Sequence, residues 1–169
     1  MLYHSKQTVN QILLDELWEH RNEVMQLTKA EIGQIGESDY RNTLVAREIA
    51  HPLYNEICED IQKAAQQFYN QPKLTVNQFD YLVYLKGMYF KPHEDVDIRF
   101  DDHHRKYTTI TMMYKSEDFS GGQLKIEIDG EEVAPMLNVG HTLMFPSEWT
   151  HWVEPVESGR REVLVAWLN

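Results

Sequence analysis

Cysteine is nearly absent from the sequence, with Cys58 alone among 169 residues. A single cysteine cannot form an internal disulfide, and this usage is typical of a reducing compartment, so we expect a cytoplasmic protein. Cys58 lies in a stretch with helical periodicity, and we interpret it as a small buried apolar side chain rather than a nucleophile.

Long apolar runs are also missing. The chain has no run of about 18 apolar residues, which excludes a helix long enough to cross a membrane. The first residues, MLYHSKQTVNQ, lack the apolar core of a signal peptide. We therefore expect no membrane partner, in agreement with a cytoplasmic location.

Basic residues are few: 16 Lys and Arg stand against 27 Asp and Glu, a formal charge of −11. Such a surface repels the phosphates of nucleic acids unless a basic patch compensates. The nearest candidate patch, His103-His104-Arg105-Lys106, directly follows Asp101-Asp102. Nucleic acid is therefore not an expected partner, whereas a peptide with basic residues would suit the acidic surface.

What remains is an ordinary globular composition, with 42% hydrophobic and 25% charged residues and no internal repeat. A chain of this length buries roughly 68–70% of its unfolded surface, which is enough for a core. We expect one domain over residues 1–169, divided into a mainly helical support, 1–72, and a β core, 73–169.

Helical periodicity dominates residues 1–72. From Thr8 onward, apolar residues recur at near-helical spacing until Gly33 and Gly36 break the pattern. A second helical stretch is predicted from Asn42, interrupted or restarted by Pro52. The first stripe contains Ile12, Leu13, Leu17, Val24 and Leu27, and the second contains Ile57, Ile61, Ala64, Ala65 and Phe68. We interpret these helices as a scaffold packed on one sheet.

After Pro72 the period changes to two. In QLKIEIDGEE, Leu124, Ile126 and Ile128 alternate with polar residues, and Asp129-Gly130 is a hairpin turn signal. The further short strands are YTTITMMY, HTLMF, HWVEPV and EVLVAWL. This spacing predicts a mainly β fold, either an antiparallel barrel or a two-sheet jelly roll (double-stranded β-helix), and the N-terminal helices make the class α+β.

One histidine and one aspartate stand two residues apart in the strand-like run YFKPHEDVD. His93 and Asp95 share a strand face, since residues i and i+2 point the same way. For a third ligand, His141 and His151 both lie in strand context, and His151 begins a strand after a turn, near a barrel mouth. Two imidazoles and one carboxylate leave open positions that suit non-haem Fe(II), whereas zinc prefers a nearly closed tetrahedral shell.

Two neighbouring arginines, Arg160 and Arg161, follow His151 in the chain. An inward-pointing Arg161 offers a guanidinium that grips a carboxylate through two parallel hydrogen bonds. Neighbours on a strand alternate, so Arg160 would then point outward. The spacing alone fits two solvated turn residues equally well.

These motifs together resemble a known family. YLKGMYFKPHEDVD, DFSGGQL and VAPMLNVGHTLMFPSEWTHWVEPVESGRR, in this order, are similar to the prolyl-4-hydroxylase-like branch of the Fe(II)/2-oxoglutarate-dependent dioxygenases, over about residues 79–169. The resemblance implies a jelly-roll catalytic core that uses Fe(II), 2-oxoglutarate and O2, with ascorbate in support. It also implies hydroxylation of a C–H bond, with release of succinate and CO2.

The resemblance implies roles for individual residues as well. His93, Asp95 and His151 match the iron ligands, and Arg161 matches the partner of the distal carboxylate of 2-oxoglutarate. The other residues implied to line the 2-oxoglutarate pocket are Tyr84, Thr109, Leu124, Val153 and Trp167.

Two positions depart from the family's pattern. Phe90 stands where a tyrosine usually faces the substrate, and Met113 stands where an aromatic residue is common. The leading hypothesis is hydroxylation of a prolyl residue in a peptide or protein. The missing hydroxyl of Phe90 leaves a free amino acid or other small metabolite as an alternative substrate. A third hypothesis, a non-catalytic jelly-roll binding module, is disfavoured by the complete set of iron and 2-oxoglutarate residues.

Residues 96–106 and 28–42 are candidate flanks of an open substrate groove. The first segment is charged and fits a lid or plain surface equally well; the second contains Gly33 and Gly36, which loosen the backbone. A metabolite enzyme would need a closed pocket instead. The sequence predicts neither the identity of the substrate nor the oligomeric state.

Overall fold

The fold is described here from a computed structural model of the chain. The structure describes residues 1–4, 7–24, 28–29, 40–47, 49–96 and 105–169. Over these ranges the chain is mainly β with two helices, in agreement with the predicted class. No helix in them is both long and apolar enough to cross a lipid bilayer.

The described ranges form two helices and fourteen strands. The helices are α1 (Gln11–Val24) and α2 (Pro52–Tyr69). The first strands are β1 (Tyr3–His4), β2 (Thr28–Lys29), β3 (Arg41–Asn42) and β4 (Leu44–Arg47). The others are β5 (Val76–Leu85), β6 (Tyr89–His93), β7 (Tyr107–Lys115), β8 (Ser120–Gly121), β9 (Leu124–Ile128), β10 (Glu131–Val133), β11 (Thr142–Pro146), β12 (His151–Val153), β13 (Val156–Ser158) and β14 (Arg160–Leu168).

Helix α2 has clear start and stop signals. His51 precedes it with an extended backbone, and its Nδ1 accepts a hydrogen bond from the backbone N–H of Leu53 at 3.3 Å. Pro52 takes the first helical position, where a missing N–H loses no helical hydrogen bond. Asn70 ends the helix with a left-handed backbone, φ 50°. The prediction that Pro52 restarts a helix is confirmed.

The predicted helix from Asn42 is wrong, because the chain there forms β3 and β4. Strand β4 pairs antiparallel with β5, which places Val45 opposite Leu82, and both side chains are buried. Strand pairing and the burial of a β-branched side chain between two sheets outweigh the local helical periodicity.

Two main sheets form the body of the described structure. The major sheet has seven strands in the order β1-β11-β7-β14-β5-β4-β2, the second sheet has five in the order β10-β9-β12-β6-β3, and β13 pairs with β8. Residues 1–72 therefore add strands to both sheets besides the two helices. A single domain over 1–169 stays a prediction.

The major sheet has an apolar core on each of its faces. On one face, a helix-side cluster contains Leu13, Leu17, Ile57, Ile61, Ala65, Val83, Leu164 and Leu168. On the other, an interior cluster contains Leu82, Tyr84, Leu124, Ile126, Val153, Val163, Val165 and Trp167. The predicted packing of the helices on one sheet is confirmed. Ile12, assigned to the first apolar stripe, is instead 72% exposed.

The predicted hairpin at Asp129-Gly130 is also confirmed. Strands β9 and β10 pair antiparallel, with Ile128 opposite Glu131. Asp129 and Gly130 both have positive φ, 54° and 81°, as a tight two-residue hairpin turn requires.

We expect Ile61→Ala to lower the free energy of unfolding by about 2–5 kcal/mol, because Ile61 is fully buried in the helix-side cluster. Ile12→Ala makes the same chemical change at an exposed position of α1, and should alter that free energy by no more than about 0.5 kcal/mol. Equilibrium unfolding of both variants in urea measures the difference. Equal losses would contradict the packing of α2 described above.

Candidate metal centre

Three potential metal ligands converge where β6 and β12 pair. His93 ends β6 and lies opposite His151, which begins β12. Asp95 follows β6, and its Oδ1 and Oδ2 lie 3.6 Å from His93 Nε2 and 3.5 Å from His151 Nε2. Ligand atoms from all three side chains lie within 4.8 Å of one another. The structure thus brings together the three residues that the resemblance implies, and His141 is not part of this cluster.

Backbone interactions fix where these side chains point. The pairing of β12 with β6 shifts register between His151 and Val153, so that Val153 lies opposite Phe90. A bulge of this kind re-aims side chains, and the Phe90 ring stacks on the His93 imidazole at 3.6 Å between centroids. The backbone N–H of Asp95 donates to the carbonyl of Ser147 at 2.9 Å, which anchors the residue beyond the strand end.

Each histidine has one ring nitrogen committed to the backbone. Nδ1 of His93 lies 2.8 Å from the carbonyl of Lys91, and Nδ1 of His151 lies 2.9 Å from the carbonyl of Trp149. Because a carbonyl oxygen only accepts, each Nδ1 carries the proton. In the neutral form of each imidazole, the Nε2 that faces Asp95 then has the lone pair that a metal needs.

Asp95 is held by two hydrogen bonds. Its Oδ2 accepts from the Thr108 hydroxyl at 2.7 Å and from the Trp167 indole at 2.9 Å. Burial opposes ionisation, but His151, His93 and these two hydrogen bonds together hold the pKa of Asp95 below its ordinary value. Asp95 is therefore a carboxylate at neutral pH.

Burial is also the main cause that lowers the pKa of His93, and the neighbouring His151 lowers it further. A neutral imidazole is the form of histidine that binds metals. Two imidazole nitrogens and one carboxylate, gathered on one side of a site, are a donor set that fits Fe(II) with open coordination positions. The residues present therefore fit the metal that the resemblance implies.

A buried arginine lies further along the interior. Arg161 is 3% exposed, its Nη1 donates to the Gly122 carbonyl at 2.7 Å, and its guanidinium carbon lies 4.9 Å from the centre of the Tyr84 ring. Its Nε is shielded from solvent and has no hydrogen-bond partner within the described ranges. Burial lowers the pKa of Arg161 and raises that of Tyr84, so the phenol keeps its proton.

Arg160 differs from its neighbour. It forms an ion pair with Glu162, which is fully buried, while the Arg160 side chain is 31% exposed. Strand alternation places Arg160 and Glu162 on one face of β14 and Arg161 on the other. The structure thus separates the two arginines in the way the alternation predicts.

Four further pocket residues lie on the interior face: Tyr84, Leu124, Val153 and Trp167 all belong to the interior cluster. The assignment of Thr109 to this wall is wrong. Thr109 lies opposite Met144 of the helix-side cluster, and its hydroxyl donates to the Ala166 carbonyl at 3.0 Å. The inward residue is Thr108, because the phase of β7 differs by one residue from the phase we assumed.

Other residues of the site were missed by sequence reasoning. Ser147 Oγ lies 3.0 Å from the Thr108 hydroxyl, which extends the polar contacts around Asp95. Arg41 reaches the site from β3, at the end of the segment 28–42 that was predicted as a flank of the groove; its guanidinium carbon lies 4.7 Å from the centre of the Phe90 ring. The alternation of β7 carried a signal for Thr108, whereas no local pattern pointed to Arg41.

The candidate flanking segments fall largely outside the described residues. Within 96–106 the structure describes only 96 and 105–106, and within 28–42 only 28–29 and 40–42. The lid and groove predictions for these segments therefore concern mostly residues outside the described ranges.

Comparisons with known proteins agree with this geometry. The family model of the 2OG-Fe(II) oxygenase superfamily matches residues 79–169. A PKHD-type hydroxylase of Synechococcus sp. (strain JA-2-3B'a(2-13)) is 35% identical over 89 residues, which cover 51% of this chain and 40% of that protein. This chain spans about half or less of the length of such curated relatives.

Two solved structures share the fold at low sequence identity. A Pseudomonas putida prolyl-4-hydroxylase has a TM-score of 0.74 and 17% identity, covering 99% of this chain and 91% of that one. A prolyl hydroxylase from Trichoplax adhaerens, in complex with a hypoxia inducible factor peptide fragment, has a TM-score of 0.71 and 14% identity, covering 98% and 82%. The predicted double-stranded β-helix is confirmed by this likeness.

The sequence match extends over more than half of the chain, from within β5 to the last residue. It includes the candidate metal ligands His93, Asp95 and His151, and also Arg161. The chain belongs to the 2OG-Fe(II) oxygenase superfamily.

Proposed function

We propose that the protein is an Fe(II)/2-oxoglutarate-dependent dioxygenase that hydroxylates a C–H bond of a prolyl residue in a peptide or protein. The observation that carries the proposal is the cluster of His93, Asp95 and His151 in the same interior as a buried arginine, Arg161, whose Nε has no hydrogen-bond partner in the described part of the chain. Either feature alone has structural explanations, whereas the two together match what iron and a dicarboxylate require.

In this proposal the three side chains hold the metal through His93 Nε2, His151 Nε2 and the Asp95 carboxylate. Iron, 2-oxoglutarate and O2 supply the oxidising chemistry, which converts the co-substrate to succinate and CO2. The protein orients the ligands: the carbonyls of Lys91 and Trp149 fix the two imidazoles. The hydrogen bonds to Asp95 keep its carboxylate charged and aimed at the histidines.

Arg161 would bind the distal carboxylate of 2-oxoglutarate. Its Nη1 is taken by the Gly122 carbonyl, but its Nε is buried without a described partner, so an incoming carboxylate would satisfy that donor. The protonated phenol of Tyr84 lies beside it and is a second hydrogen-bond donor for the co-substrate. Leu124, Val153 and Trp167 would form the apolar wall that excludes water from the reacting groups.

The proposed substrate is inferred from the relatives rather than from the geometry of the site. The similar proteins are a PKHD-type hydroxylase and prolyl hydroxylases, one of them bound to a peptide. Phe90, stacked on His93, places a ring without a hydroxyl beside the metal centre and favours a free amino acid or small metabolite as the second candidate. Ascorbate is expected to support turnover by keeping the iron reduced.

A succinate assay tests the proposal. With Fe(II), ascorbate and 2-oxoglutarate, we expect proline-rich peptides to stimulate succinate formation above the level seen without substrate. Basic peptides lacking proline and free L-proline are run in parallel, and His151→Ala serves as the inactive control. Stimulation by free L-proline but by no peptide would replace the peptide substrate with a metabolite. Absence of succinate in every arm would refute the enzyme assignment.

Arg161→Lys should raise the dissociation constant for 2-oxoglutarate about tenfold or more, because lysine keeps the charge but lacks the planar fork. Arg160→Lys makes the same change on the opposite face of β14 and should leave that constant nearly unchanged. Titration of 2-oxoglutarate into each Fe(II)-loaded variant without O2 provides the comparison. If the two variants exchanged phenotypes, the proposed role of Arg161 would be wrong.

Thr108→Val should weaken Fe(II) binding by about 10- to 100-fold, since Asp95 loses a hydrogen bond that orients it. Thr109→Val removes the same hydroxyl one residue along the strand and should leave Fe(II) affinity unchanged, although both variants lose some stability. Anaerobic Fe(II) titration measures the affinity, and thermal unfolding reports the stability. An equal loss of affinity in both variants would argue against a specific role for Thr108.

A further inference from the structure

Arg41 brings a guanidinium close to the candidate metal centre from the second sheet. It lies directly opposite Phe90 in the pairing of β3 with β6. Its guanidinium carbon is 4.7 Å from the centre of the Phe90 ring, and that ring stacks on the imidazole of His93 at 3.6 Å, with 13° between the planes. A single aromatic ring therefore connects this cation to a proposed iron ligand.

The position of Arg41 is fixed by its strand neighbours. The backbone N–H of Lys91 donates to the carbonyl of Tyr40 at 3.0 Å, and the Tyr40 hydroxyl donates to the carbonyl of Pro92. These contacts hold β3 against β6 on one side of the Arg41–Phe90 pair, and the pairing of Asn42 with Tyr89 holds the strands on the other side. The guanidinium is thus held in place by a flat ring and a paired backbone.

The hydrogen-bonding capacity of Arg41 is incompletely used. Its Nε is shielded from solvent and has no partner among the residues that the structure describes. The two carboxylates whose charge acts on Arg41 do not accept from this Nε. Asp95 accepts two other hydrogen bonds, and Asp80, whose Oδ2 lies 3.4 Å from Arg47 Nε, has a buried Oδ1 without a partner among the described residues. A charged group whose N–H is shielded from water and has no acceptor is energetically unfavourable. An incoming anion would supply that acceptor, so the site favours anion binding.

The anion that suits this donor is a carboxylate. A guanidinium presents parallel N–H groups that match the two oxygens of a carboxylate, and a ring beneath its face leaves its edge available. The carboxylate of 2-oxoglutarate that needs an arginine is assigned to Arg161, on the other sheet. Arg41 is therefore available to the molecule that is hydroxylated.

We propose that Arg41 binds a carboxylate of the substrate and so selects substrates that carry one near the reacting C–H bond; this rests on the proposed function. The carboxylate has two possible sources, which share this chemistry. It is the α-carboxylate of a free amino acid, or the side chain of Asp or Glu next to the reacting residue of a peptide. A peptide with basic residues beside the reacting group is disfavoured, because the guanidinium of Arg41 would repel their positive charge.

Matched pairs of probes test the carboxylate directly. The first pair is L-proline and L-prolinamide, for the α-carboxylate. The second is a blocked peptide with Asp after proline and its Asn counterpart, and the third has Asp or Asn before proline. Calorimetric titration into the enzyme loaded with Fe(II) and 2-oxoglutarate, without O2, measures binding in the absence of turnover.

For at least one pair, we expect the carboxylate probe to bind about tenfold or more tightly than its amide. Arg41→Gln should remove that preference, and Arg41→Lys should retain only part of it because lysine lacks the fork. Lys86→Gln is the matched control: it removes one positive charge from an exposed side chain in the turn between β5 and β6 and should leave the preference intact. Thermal unfolding of each variant establishes that it is folded.

Three outcomes would overturn the proposal: no carboxylate preference in the parent enzyme, a preference that survives in Arg41→Gln, or an equal loss in Lys86→Gln. A tenfold weaker binding of 2-oxoglutarate to Arg41→Gln would instead assign Arg41 to the co-substrate. The proposed function is tested separately, by decarboxylation of 2-oxoglutarate in air. That reaction can fail in the parent enzyme while the carboxylate preference in the binding assay holds, so the two failures are distinguishable.

Discussion

Strand β14 and its two-residue alternation determine the whole interior. It lies between β5 and β7, with Arg161 opposite Tyr84 and Trp167 opposite Thr108. Its odd-numbered side chains face the second sheet, and the leucines at 164 and 168 face the helices. A slip of one residue would exchange the two sets, burying Glu162 in the pocket and turning Arg161 toward the helices. Packing of the two clusters on opposite faces therefore also fixes the register of the site.

The metal centre depends on a second constraint, the irregular pairing of β6 with β12. Regular alternation would not direct Phe90 and His93, three residues apart, to the same side. The register shift between His151 and Val153 accommodates both, and the two imidazoles come within 4.2 Å between ring centroids. The carbonyls that accept from their Nδ1 atoms belong to the neighbouring backbone, so the local chain geometry that positions each histidine also selects its tautomer.

The fold could be predicted from the sequence wherever the local residue pattern agrees with the final packing. The alternation in β9 and β14, the turn at Asp129-Gly130 and the proline at the start of α2 each report a local preference that the fold keeps. Prediction failed where contacts between distant parts of the chain determine the local structure. The chain near Asn42 forms a strand because it pairs with β5. Thr109 faces the helices because the alternation of β7 differs by one residue from the predicted phase. Arg41 was missed for the same reason, since its place in the site depends on a pairing between strands far apart in sequence.

The net charge of the surface and the charged groups of the site act over different distances. A formal charge of −11 favoured a basic partner, but salt screens such a field over roughly 8–10 Å. Among the residues that the structure describes, Arg161 and Arg41 each have an Nε that is shielded from water and lacks a hydrogen-bond partner. Electrostatic interactions strengthen as water is excluded, so these two donors outweigh the distant surface carboxylates for any ligand that enters. In the proposed function, the acidic surface influences which molecules approach, and the two arginines select those that carry a carboxylate.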